Sequence, residues 1–143
     1  MAIGLRALRP SFAAEVDGID LSRPMDPVGV RAIRDAIDQY AVLVFHDQRL
    51  TDTQLRDFAA GFGPLEIGRG ALQGGKRRLT LPQIGDISNL DEESRIRARD
   101  DKRRLDSLGN RLWHTDASYM PVQVVLGILH AKVLPPATVL GGG

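Results

Sequence analysis

The order of hydrophobic patterns predicts an α+β fold, mainly β, built on an antiparallel sheet. Both helical patterns fall early, within residues 27–62, and do not alternate with strands as βαβ units would. Strand-like stretches precede, separate and follow them, and the latest of these is the richest in valine and leucine. At 143 residues the chain suits a single domain spanning positions 1–143, long enough for a real core.

Taken in order, the residues up to Phe12 read as a short strand. Ala13-Ala14-Glu15-Val16-Asp17-Gly18-Ile19 reads as a second strand ending in a turn. Asp26-Pro27 opens the first helix, with Asp as N-cap and Pro at the first helical position. Val30, Ile33, Ala36, Ile37 and Tyr40 then recur at helical spacing, leaving Arg31, Arg34, Asp35 and Asp38 on the outer face. Ala41-Val42-Leu43-Val44-Phe45 is apolar throughout and rich in β-branched residues, the pattern of a buried strand.

Thr51-Asp52-Thr53-Gln54 has the form of a capping box. The helix it starts turns Leu55, Phe58, Ala59 and Phe62 inward, and Gly61 with Gly63-Pro64 ends it. Four glycines and few apolar residues in 66–78 predict a mobile loop. Asp86-Ile87-Ser88-Asn89-Leu90 reads as a short strand. In Asp91–Asp106, 12 of 16 residues are charged with mixed sign, which predicts a solvated loop or exposed helix. Arg111–Tyr119 and Val124–Leu134 are expected strands, the first broken by Pro121 and the second stopped by Pro135-Pro136. Five or six strands fall short of a complete jelly roll of about eight.

Composition narrows the function classes. The net charge of +1 lends no support to a nucleic-acid or membrane-surface role. The absence of cysteine excludes disulfides, thiolate zinc sites and Cys nucleophiles. The opening Met1-Ala2-Ile3-Gly4-Leu5-Arg6 has no signal-peptide apolar core, and no run approaches membrane-spanning length, so a cytoplasmic location is expected. Metal spacings such as His-Glu-x-x-His are absent, which sets aside a zinc-type hydrolase.

The chemistry concentrates in Trp113-His114-Thr115-Asp116. On an extended chain His114 and Asp116 project to one side, with Cα atoms about 6.6 Å apart, near enough to converge on one cation. An imidazole and a carboxylate are two of the three ligands of a non-haem Fe(II) facial triad. Composition alone yields about 0.3 His-x-Asp pairs per chain of this make-up, so the spacing needs support from its surroundings. Asn110, after Gly109, reads locally as a turn residue as readily as a site residue.

Those surroundings resemble the taurine dioxygenase/2,4-dichlorophenoxyacetate dioxygenase (TauD/TfdA) family of Fe(II)- and 2-oxoglutarate-dependent oxygenases. The likeness lies in residues 12–22 (Phe-Ala-Ala-Glu-Val-Asp-Gly-Ile-Asp-Leu-Ser), 42–48 (Val-Leu-Val-Phe-His-Asp-Gln) and Phe62-Gly63-Pro64-Leu65. It continues through Asp86–Leu90, Gly109–Tyr119 and Val133-Leu134-Pro135-Pro136. These segments keep the family's order over almost the whole chain, and are most similar to its aryloxyalkanoate branch.

The resemblance implies a cupin-like double-stranded β-helix, or jelly roll, here partial and with two N-terminal helices. It makes His114 and Asp116 metal ligands, sets Asn110 near the 2-oxoglutarate cosubstrate and the substrate, and makes Trp113 a core or wall residue. Fe(II), 2-oxoglutarate, O2 and a small anionic organic acid are the implied reactants, and homo-oligomers the implied assembly. Arg69, Lys76, Arg77, Arg78 and Lys102–Arg104 are the cations available to such a substrate, each expected to be solvent-exposed.

The chain also departs from that pattern. The family follows its double proline with a Gly-Gly-x-Thr segment whose threonine holds 2-oxoglutarate, but here Thr138 precedes Gly141-Gly142-Gly143. The family's distal metal histidine and its cosubstrate arginine have no counterpart, so the chain is expected to be the N-terminal half of a catalytic domain, truncated and inactive alone. His46 and His130 are read as structural histidines, since no spacing links either to His114. A jelly roll lacking strands should expose apolar faces and unpaired edges. Two alternatives stand beside the aryloxyalkanoate reading: a taurine or alkylsulfonate dioxygenase of the same family, and a non-catalytic remnant or assembly module.

Overall fold

The computed structural model describes residues 3–72, 74, 76–106, 108–109, 112–118 and 120–134. The chain divides into two compact units, Met1–Leu65 and Glu66–Gly143.

In the first unit, strands β1 (Gly4–Arg9) and β2 (Ala13–Asp17) pair antiparallel, with Arg6 opposite Glu15 and a register shift between Ala7 and Arg9. Helix α1 (Pro27–Tyr40) then carries the chain back so that β3 (Val42–Phe45) runs parallel to β2, in the order β1-β2-β3. This corrects the purely antiparallel expectation. A parallel pair needs a long crossover, and the 14 residues of α1 supply one. β3 is an edge strand and only half-buried, not the fully buried strand its composition suggests.

Both expected helices form where local chemistry places them. The Asp26 carboxylate accepts from the Gly29 amide at 2.7 Å, with Pro27 as the first helical residue. Ala41 ends α1 in the left-handed region at φ 60°, its amide donating to the Ile37 carbonyl. Helix α2 (Asp52–Ala60) opens with a complete capping box between Thr51 and Gln54. Leu21, Ile33, Leu50 and Phe58 form the buried core, with Ile37, Leu43, Phe45, Leu55 and Phe62 packed against it. Phe58 meets Phe45 and Phe62 edge-on, at centroid distances of 6.3 and 5.3 Å.

The second unit is built differently. Among its described residues no side chain is fully buried, and its regular structure is limited to α3 (Arg69–Leu72), α4 (Lys102–Asp106) and one bridge between Leu90 and Ile96. The expected glycine-rich loop thus contains a short helix, and the expected strand at Asp86–Leu90 is reduced to that bridge. The charged run folds into a tight loop, with the Asp91 amide donating to the Arg95 carbonyl at 2.8 Å and the Arg97 amide to the Asn89 carbonyl at 2.9 Å. Ion pairs hold it: Glu92 accepts from Arg97 and Arg103, and Arg97 also reaches Asp101.

No strand forms among the described residues of 111–119 or of 124–134, so the jelly-roll strands expected there are not seen. With no neighbouring strand among the described residues to supply ladder hydrogen bonds, these stretches lack what would hold them extended. Leu112, Trp113, Val122, Val125, Leu129 and Val133 are all exposed.

Candidate metal centre

His114 and Asp116 do meet, by a route other than the expected strand. The Leu112 amide donates to the Gly109 carbonyl, and the Met120 amide to the Ala117 carbonyl, so the segment is a pair of turns around the two residues. Ala117 sits at φ 53°, the left-handed region, immediately after Asp116. His114 Nε2 lies 3.1 Å from Asp116 Oδ1. The two side chains thus meet outside any strand, where alternation along a strand was the expected cause.

The expectation of an inward-facing pair is also corrected. The Asp116 side chain is 90% exposed and that of His114 46%. Trp113, expected as a core or wall residue, is fully exposed. Side chains that an enclosed site would shelter thus face water.

The other ring nitrogen is engaged too: His114 Nδ1 lies 2.7 Å from the Leu112 carbonyl oxygen. That carbonyl above all, and then the Asp116 carboxylate, holds the imidazole pKa above its ordinary value. This backbone partner was not legible in the sequence, since a carbonyl leaves no residue-type signal.

A nitrogen lone pair and a carboxylate oxygen suit a divalent first-row metal, and the Nε2–Oδ1 separation lets both bind one ion. The two residues fit as part of a ligand set. Among the described residues no group of three or more His, Cys, Asp or Glu side chains could hold a metal. Asn110 and Thr138 lie outside the described residues. His46 pairs with Glu15 across the sheet at 3.1 Å, a structural contact. His130 lies in irregular chain, not on the expected strand.

The cations expected to be solvent-exposed are mostly engaged with the protein. Lys76 pairs with Glu93, and Arg78 grips Asp86. Arg77 donates to the Leu81 and Ile84 carbonyls, and Arg104 to that of Arg97. Several of these groups line an open cleft of about 400 Å³ together with Asp86, Glu92 and Arg97. Its walls are ion pairs already closed on themselves. Arg69 opens α3, and Lys102 opens α4 with its side chain exposed.

A family model described as "Taurine catabolism dioxygenase TauD, TfdA family" matches residues 5–143. The alpha-ketoglutarate-dependent 2,4-dichlorophenoxyacetate dioxygenase of Cupriavidus pinatubonensis is 34% identical over 137 residues, covering 96% of this chain and 48% of the relative. The (S)-phenoxypropionate/alpha-ketoglutarate-dioxygenase of Sphingobium herbicidovorans is also 34% identical, over 94% of this chain and 42% of its own length. The crystal structure of AAD-2 in complex with Mn(II) and N-oxalylglycine superposes with a TM-score of 0.69 at 38% identity, covering 85% of this chain and 38% of that one. The chain thus spans about half the length, or less, of these curated relatives.

Proposed function

The chain belongs to the TauD/TfdA dioxygenase family, and from that premise we propose that it carries the His-x-Asp arm of an Fe(II)- and 2-oxoglutarate-dependent oxygenase. The observation that carries the reading is the 3.1 Å approach of His114 Nε2 to Asp116 Oδ1 within a chain matched to the family over residues 5–143. On this reading residues 1–143 are part of one catalytic domain, a cupin-like jelly roll when whole, acting in the cytoplasm as a homo-oligomer. Asn110 stands near the cosubstrate.

When bound, the metal couples oxidative decarboxylation of 2-oxoglutarate by O2 to hydroxylation of a substrate C–H bond, giving succinate, CO2 and the alcohol. The chain's own part would be to hold the ion through the His114 imidazole and the Asp116 carboxylate, with the ring fixed through the Leu112 carbonyl. The substrate class is a small anionic acid, an aryloxyalkanoate, supported by the 2,4-dichlorophenoxyacetate and phenoxypropionate dioxygenases among the relatives. Hydroxylation beside the ether oxygen of such a molecule forms a hemiketal-type carbon, which collapses to a phenol and an oxo acid.

This polypeptide alone excludes little water from the pair and offers two ligands among its described residues, so it binds Fe(II) weakly and turns over nothing. Anaerobic titration of the purified chain with Fe(II) and 2-oxoglutarate tests this. A faint charge-transfer band that saturates only at high metal concentration, and no phenol from 2,4-dichlorophenoxyacetate on admitting O2, is expected. A saturated band at low metal concentration, or phenol release, would overturn the claim that the chain is inactive by itself.

A further inference from the structure

We infer that the Leu112 backbone carbonyl is a positioning group that locks His114 into one tautomer, presenting Nε2, and not Nδ1, to a metal. The inference rests on the metal-ligand reading above and deepens it.

A neutral imidazole has one N–H and one lone pair, and its hydrogen-bond partners decide which nitrogen carries the proton. A carbonyl oxygen can only accept. The 2.7 Å contact from Leu112 to Nδ1 is therefore favourable solely as Nδ1–H donating to that oxygen. With the opposite tautomer two lone pairs would face each other at that distance.

The contact at the other nitrogen has different logic. Once Nδ1 holds the ring's proton, the Nε2 lone pair faces an Asp116 carboxylate oxygen at 3.1 Å. Two acceptors at that separation require something positive between them. A second proton meets the need, and so does a divalent cation. Nδ1 is committed to the backbone, which leaves Nε2, on the Asp116 side, as the nitrogen presented to a metal. A carbonyl holding the far nitrogen of a ligating histidine is a recurring way to set ring orientation and basicity.

The turn geometry supports the assignment. Leu112 is itself fixed by its amide's bond to the Gly109 carbonyl, and Ala117 at φ 53° fixes the bend beyond Asp116. The ring is thus oriented from its own backbone two residues away, without help from a packed wall.

Two-dimensional 15N–1H correlation of the imidazole signals tests this on the intact chain, under alkaline conditions that keep His114 neutral. The His114→Gln variant identifies its resonances. The expected result is a predominant Nδ1–H form, with added Zn(II) as probe shifting Nε2 and leaving the Nδ1 proton in place. Replacing Trp113 by its α-hydroxy acid analogue converts the Leu112 carbonyl to a weaker ester acceptor. The ratio of Nδ1–H to Nε2–H should then fall by about twofold or more.

A predominant Nε2–H form, or a ratio untouched by the ester, would overturn the inference while leaving metal binding by the pair intact. The Nδ1–H form with no Zn(II)-induced shift at Nε2 would uphold the positioning role and count against the metal reading instead.

Discussion

Arg78 holds Asp86 through two nitrogens, Nε to Oδ2 at 2.7 Å and Nη2 to Oδ1 at 2.6 Å. Both side chains are about three-quarters covered, and the Arg78 guanidinium keeps the Asp86 carboxyl below its ordinary value of 3.8. A depressed carboxyl stabilises the fold above the unfolded value, and that contribution is lost as pH falls from there through the folded value. Acid titration followed by limited proteolysis should therefore show residues 66–106 opening as pH drops through the carboxylate range. The Asp86→Asn variant should be weaker by about 1 kcal/mol at neutral pH and less sensitive to acid there.

Glu92 bridges Arg97 and Arg103, and the Arg97 side chain is only 12% exposed. With no fully buried side chain among the unit's described residues, such pairs carry much of the local order. Glu92→Gln should increase backbone amide exchange across 89–104, and raised salt should do the same to the parent chain. Hydrogen-exchange mass spectrometry reads both effects.

The Thr51 cap is a separable feature of the first unit. Thr51→Ala removes an acceptor for the Gln54 amide and should lower stability by about 1 kcal/mol, while Thr51→Ser should restore most of it. Thermal melts followed by far-ultraviolet circular dichroism distinguish the two.

Trp113 is the single tryptophan and is fully exposed, in a segment whose Leu112, Val122 and Val125 are exposed as well. Its fluorescence should peak where water-exposed indole does and be readily quenched by iodide. A concentration-dependent blue shift with loss of quenching would report association through this apolar segment.

What the sequence revealed was mostly what is local. The two caps announce themselves within four residues, so α1 and α2 were legible from Asp26-Pro27 and Thr51–Gln54. The parallel pairing of β2 with β3 was not, because it depends on how α1 returns the chain and not on the residues of either strand. Asp86–Leu90 and Val124–Leu134 have strand-like composition, but β-propensity expresses itself only against a partner strand. At the site, His114 and Asp116 lie close together, as their spacing suggested, but on exposed chain and not on an inward-facing strand. They meet outside any strand, and the left-handed conformation of Ala117 just beyond them is one that alanine does nothing to signal.

Manganese binding followed by electron paramagnetic resonance tests the pair most directly, since free Mn(II) gives a strong signal that binding suppresses. Weak but saturable binding of one ion per parent chain is predicted, with that binding lost in His114→Ala and in Asp116→Ala alike. Equal binding by the parent and both variants, or no saturable binding by the parent, would contradict a shared metal site at these two residues.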